Sequence, residues 1–223
     1  MSEISAPLHV LITGGEGGLG RALRQEFSAG GHVVHAPGRK AMDVRDEAQI
    51  EAYFSQLDRL DVLIANAGVT RDGSVTGLST DDYAEVMNTN LRGVFLCARA
   101  VLKLMVRQRG GHILFIGSRS GRRGNRGQSV YAATKAGLVG LAQSLAQEYG
   151  GRNIRCNVVL PGFLETKMTA GLSAARLEEV RGEHVLGRFN TVANSARAIA
   201  FLAQLDHVSG QVFTLDSRID KWT

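Results

Sequence analysis

Two cysteines, three prolines and one tryptophan are all that this 223-residue chain holds of those residues. Two cysteines cannot make a disulfide framework, and neither Cys97 nor Cys156 has metal-ligand spacing. Both are expected to be buried and reduced, and no metal is expected. Three prolines leave no Pro-rich linker, and with no composition break or repeat the chain is expected to be one domain, 1–223. No apolar run approaches the ~20 residues that cross a bilayer. The opening MSEISAPL lacks a basic segment followed by an apolar core, so no secretory signal is expected and the expected compartment is the cytoplasm. Nor does one charge dominate: 26 Lys and Arg against 21 Asp and Glu give +5. Without a nucleic-acid motif that balance points to neither nucleic acid nor membrane. Its one local excess is Arg119, Arg122, Arg123 and Arg126.

Glycine is plentiful, at 27, and short apolar runs alternate with helical patterns. The spacing predicts strands at 8–13, 32–36, 42–44, 61–65, 111–116, 154–160 and 211–215. Strands alternating with helices imply a doubly wound, mostly parallel sheet of about seven strands with helices on both faces. Ligands bind such sheets at the carboxyl ends of the strands.

Ser118 follows the strand at 111–116, and Tyr131 and Lys135 stand one turn apart on the helix predicted over 129–149. A hydroxyl, a phenol and an ammonium can therefore converge. A free phenol ionises near pH ~10. A nearby ammonium is expected to lower that value, so that the phenol can trade protons with an alkoxide while the serine holds the same oxygen. Taken alone, the Tyr131–Lys135 spacing favours an ordinary helix-surface pair, and the chemistry needs a hydride donor beside it.

The first strand supplies a place for that donor. It runs into TGGEGGLG (13–20) and then a helix, the arrangement that cradles a phosphate. After the second strand come Ala36, Pro37, Gly38, Arg39 and Lys40, with no acid at the strand end. That leans toward NADP over NAD, although Glu16 in the turn would repel a 2′-phosphate. Arg39 is also readable as a solvated turn cation. Asp43 could meet adenine or cap the following helix. Asn66, Ala67 and Gly68 end a strand, where Asn66 could tie it to its neighbour. Asn88-Thr89-Asn90 interrupts a helical pattern, which predicts a backbone distortion able to hold a relay water. Pro161-Gly162-Phe163-Leu164-Glu165-Thr166 forms a rigid turn able to brace a nicotinamide, and 167–188 is expected to be a mobile lid of two polar helices.

These motifs together, TGGEGGLG, NAG (66–68), NTNLRG (88–93), Ser118, YAATK (131–135) and PGFLET (161–166), resemble those of the short-chain dehydrogenase/reductase family across nearly the whole chain. GNRGQSVYAATKAGLVG, NVVLPGFLETKMT and SGQVFTLD are most similar to its 3-oxoacyl-[acyl-carrier-protein] reductases. The resemblance implies a single-domain Rossmann fold and reduction of a 3-oxoacyl thioester, with another ketone or secondary alcohol (sugar, steroid, polyketide) as the alternative. A non-catalytic dinucleotide sensor is a more distant one. Tyr131 would be the acid, Ser118 the carbonyl-orienting group and Lys135 a ribose ligand, while Asn90 would hold the relay water. The cofactor would lie on Gly14, Glu16, Gly17, Gly18, Leu19 and Gly20 of the turn. Its adenosine would meet Arg39, Asp43 and Val44, and its ribose Asn66, Ala67 and Gly68. Pro161, Gly162, Leu164 and Thr166 would flank the nicotinamide. Arg109 and Arg152 would bind an acidic carrier protein, and a homotetramer or homodimer is implied. Gly17 stands where NADP-dependent members often have Arg, and TLDSRIDKW departs from the usual Val-Asp-Gly-Gly ending.

Overall fold

The computed structural model describes residues 6–166 and 168–219. The opening MSEIS, the first residue of the expected lid and the closing DKWT lie outside the described residues.

Six strands form one parallel sheet: β1 (His9–Ile12), β2 (Val33–His35), β3 (Val62–Ala65), β4 (Gly111–Ile116), β5 (Ile154–Leu160) and β6 (Val212–Thr214). Their order is β2-β1-β3-β4-β5-β6. Alternate side chains of each strand go to opposite faces, so each strand feeds two cores. Val10, Ile12, Val62 and Ile64 join one core with α1 (Gly18–Ala29) and α8 (Val192–Ala203). Leu11, Leu63, Ile113 and Phe115 join the other, with α4 (Gly93–Gln108) and α6 (Ser129–Tyr149). Burial on both faces explains why β4 and β5 are near-continuous apolar runs.

The sheet has six described strands where seven were expected, because 42–44 is not a strand. Asp43 makes a turn there instead. Its carboxylate accepts the Arg45 backbone N–H at 3.0 Å and its carbonyl accepts the Asp46 N–H at 3.0 Å. A side chain that satisfies its own backbone two residues on competes with a sheet ladder. β2 is therefore the sheet edge, with Val33 42% exposed. Asp46, not Asp43, caps α2 (Glu47–Phe54) by accepting the Ala48 and Gln49 N–H groups.

The long helical pattern resolves into α3 (Thr80–Met87), a π-helical turn (Asn88–Arg92) and α4. The predicted distortion is thus present at the predicted residues. Among its described residues the expected lid contains one helix rather than two, α7 (Ala174–Gly182), capped by Ser173. The short α5 (Ser120–Arg123) lies between β4 and α6.

Candidate active site

The chain crosses from β2, on one side of β1, to β3 on the other, so a crevice opens at the carboxyl ends of β1 and β3. Glycine makes it narrow and deep. A Cβ on Gly15 would lie 2.3 Å from the Ala36 carbonyl oxygen, and one on Gly20 would lie 2.4 Å from the Gly14 oxygen. Asn66 ties the two strands as expected, donating Nδ2 to the Thr13 carbonyl at 2.9 Å. Helix α1 begins at Gly18 without a side-chain cap, so its first-turn N–H groups remain for a ligand.

A cavity of about 960 Å³ runs from this turn to the trio expected to do chemistry. Ser118 leaves the end of β4, and its hydroxyl acts on the Tyr131 phenol, drawing its pKa down. Lys135 is 5% exposed and donates Nζ to the Ile116 carbonyl at 2.7 Å, tying α6 to the end of β4. Its Nζ lies 5.6 Å from the Tyr131 ring centroid. The three side chains do converge.

Their electrostatics differ from expectation. Burial pushes the Tyr131 phenol up from its ordinary value; the Ser118 hydroxyl opposes this, and the Asp72 carboxylate adds to it. Lys135 does not bring it down, because the ammonium is directed at Ile116 and burial lowers its own pKa to about 8. The phenol is therefore held in its protonated form.

Asn90 is fully buried, and its side chain ties Val69 and α6: Oδ1 accepts the Val69 N–H and Nδ2 donates to the Val69 carbonyl, each at 2.8 Å, and Nδ2 also donates to the Thr134 hydroxyl at 3.4 Å. Gly68 allows close approach here, since a Cβ on it would meet Asn90 Oδ1 at 3.4 Å and Lys135 Nζ at 3.7 Å.

At the β2 end, Glu16 packs its carboxylate where a Gly38 Cβ would stand, 2.1 Å from Glu16 Cδ. Asp43 is engaged by Arg45 at 2.6 Å and by Arg39 at 3.2 Å, which hold its carboxyl far below the usual range. An adenine contact through Asp43 would have to share that carboxylate with two guanidinium groups. Arg39, Val44 and Arg45 line the cavity with it. Pro161, Gly162, Leu164 and Thr166 line the opposite wall, where the Thr166 methyl would lie 3.2 Å from a Cβ on Gly18. The dinucleotide-binding residues named from the sequence, Gly20 excepted, thus share one cavity.

Arg109 and Arg152 do not belong to it. Arg109 ends α4 and Arg152 precedes β5, and the Gly111 N–H bonds the Asn153 carbonyl at 3.3 Å between them. They flank the amino ends of β4 and β5, the end of the sheet opposite Ser118. Sequence reasoning missed Arg45, Asp72, Arg119 and Gln128, all of which line the cavity. Arg119 reaches the lid, pairing with Glu183 at 2.7 Å. The polar run SRSGRRGNRGQS was visible, but its partners are remote in sequence.

A glycine-rich phosphate cradle opening into the same cavity as a Ser-Tyr-Lys trio defines a dinucleotide-dependent oxidoreductase site. The family model described as Enoyl-(Acyl carrier protein) reductase matches residues 16–217. The chain belongs to the short-chain dehydrogenase/reductase family. It is 37% identical to the 3-oxoacyl-[acyl-carrier-protein] reductase FabG of Thermotoga maritima, over 92% of this chain and 95% of that protein. It is also 37% identical to FabG of Escherichia coli strain K12, over 86% and 88%. The solved structure of ElxO with NADP bound superposes with a TM-score of 0.85 at 27% identity, covering 95% of this chain and 98% of the other.

Proposed function

We propose that this chain reduces a 3-oxoacyl thioester, carried on acyl carrier protein or coenzyme A, to the 3-hydroxyacyl form with NADPH. The convergence of Ser118, Tyr131 and Lys135 at one end of a cavity whose other end is the glycine-rich turn carries this reading. The similarity to FabG proteins supports the substrate. Ser118 hydrogen-bonds the carbonyl oxygen, and Tyr131 gives that oxygen its proton as negative charge develops. A phenol kept protonated by burial suits the acid of a reduction. Lys135 anchors α6 at Ile116 and turns its remaining donors toward a ribose. When bound, the reduced nicotinamide supplies the hydride. Gly17, Gly18 and Leu19 would hold its phosphates, and Leu164 and Thr166 would flank its carboxamide. Arg39 and Arg45 favour a 2′-phosphate and Glu16 disfavours it; NADP in ElxO supports the former.

Carrier binding through Arg109 and Arg152 would deliver the acyl arm to a second protomer, since these arginines lie across the sheet from their own cavity. A homotetramer or homodimer through α4 and α6 fits this.

Turnover of an acetoacetyl thioester with NADPH tests the reading. Tyr131→Phe should lower kcat by about 10²–10⁴-fold, with dinucleotide affinity unchanged. Full activity in Tyr131→Phe would sink the mechanism, and turnover of other ketones alone would sink the substrate.

A further inference from the structure

Beside the trio runs a chain of hydrogen bonds that the proton transfer does not require. Ser118 Oγ accepts the Ser120 backbone N–H at 3.2 Å. The Ser120 hydroxyl donates to Gln128 Oε1 at 2.9 Å, and the same oxygen accepts Asn125 Nδ2 at 2.9 Å. Gln128 then donates from Nε2 to Asp72 Oδ2 at 2.9 Å. The other Asp72 oxygen takes the Thr70 hydroxyl. Main chain closes the same gap, the Gly73 N–H donating to the Gly127 carbonyl at 2.8 Å. Gln128 sits at the N-cap of α6 but makes no capping bond, so its side chain serves this chain of bonds alone.

The pairing explains the residue types. A carboxylate only accepts, and the Ser120 hydroxyl here donates; an amide has the acceptor and donor ends that join them without leaving either unpaired. We propose that Gln128 and Asp72 are positioning residues: they brace Ser120, whose N–H occupies one lone pair of Ser118 and fixes where the serine hydroxyl points. This rests on the proposed reduction, in which that hydroxyl holds the carbonyl oxygen. The brace spans the loop after β3 and the turn before α6, two walls of the substrate end of the cavity. Misplacing a catalytic group by about 1 Å can cost ~100-fold in rate, so a brace that positions Ser118 can govern kcat, with the Asp72 charge acting on the Tyr131 phenol besides.

Exchange of polarity tests the proposal. Gln128→Glu sets a carboxylate against Asp72 and should lower kcat about tenfold or more, with KM for the dinucleotide unchanged. Asp72→Asn alone keeps an acceptor for Gln128 and should give a smaller loss, about threefold. The double variant Gln128→Glu with Asp72→Asn rebuilds the bond in reverse, Asn donating to Glu, and should recover kcat to within about threefold of wild type. Gln128→Leu, which removes both ends without adding charge, should lose as much as Gln128→Glu and gain nothing from Asp72→Asn. Melting temperatures of all variants identify a folding defect, which would fall in parallel with activity and would not recover in the polarity swap. A Gln128→Glu enzyme with wild-type kcat, or a double variant no better than Gln128→Glu, overturns the proposal. The ratio is read on any ketone the wild type reduces, so the thioester assignment can fail while the brace is still decided.

Discussion

Single residues decide which dinucleotide enters and how the proton is held. Glu16 is the one acid in the glycine-rich turn 13–20 and lines the cavity with Arg39 and Arg45. Its charge repels a 2′-phosphate, so Glu16→Gln should lower KM for NADPH roughly fivefold and leave KM for NADH within about twofold, the difference shrinking as salt rises. Steady-state titration with both dinucleotides at two ionic strengths measures this. Glu16, Ser118, Tyr131 and Lys135 were legible in the sequence because turn chemistry and i,i+4 spacing are local. The direction of the Tyr131 shift was not, because it depends on how deeply the phenol is buried and on Asp72, 59 positions earlier in the chain.

Elements carry a polar network that sets acid stability. His112 of β4 is buried, donating Nδ1–H to the Ala203 carbonyl at 3.1 Å and accepting Asn157 Nδ2 at 2.9 Å. The tautomer follows from Asn157, whose Oδ1 accepts the Gln211 N–H at 2.9 Å, leaving its Nδ2 to donate to His112 and to the Val208 carbonyl at 2.8 Å. Burial pushes the His112 pKa down to about 4. The unfolded chain binds that proton near pH ~6.5 and the folded one only near 4. Stability is thus complete above pH ~6.5 and declines as the pH falls toward 4, by on the order of 3 kcal/mol. His35, also lowered by burial, adds in the same direction. Urea unfolding of wild type and His112→Gln between pH 4 and 7 should show the steeper slope only in the wild type. β4 and β5 were predicted with their observed bounds, because a strand buried on both faces is a continuous apolar run. The strand expected at 42–44 failed because Asp43 bonds its own backbone and two arginines, a competition that apolar periodicity does not register.

At the scale of the whole molecule, part of the exposed apolar surface lies on α4, one of the helices proposed for assembly. Phe95 of α4 is 45% exposed and borders a shallow groove with Met87, Leu91 and Leu141. Phe95→Glu should convert the assembly to a smaller species by light scattering after size exclusion, with the melting temperature of the isolated protomer unchanged. Wild type eluting as a monomer would remove the basis for this.

The alternation of strands and helices, the glycine turn and the Tyr131–Lys135 spacing were set by the sequence alone, because each depends on residues within a few positions of one another. The tertiary structure alone decided what the trio is braced by, which guanidinium groups occupy Asp43, that Arg119 reaches the lid at Glu183, and that Arg109 and Arg152 lie at the far end of the sheet. Those relations join residues far apart in the chain through packing in three dimensions, and local pattern carries no record of them.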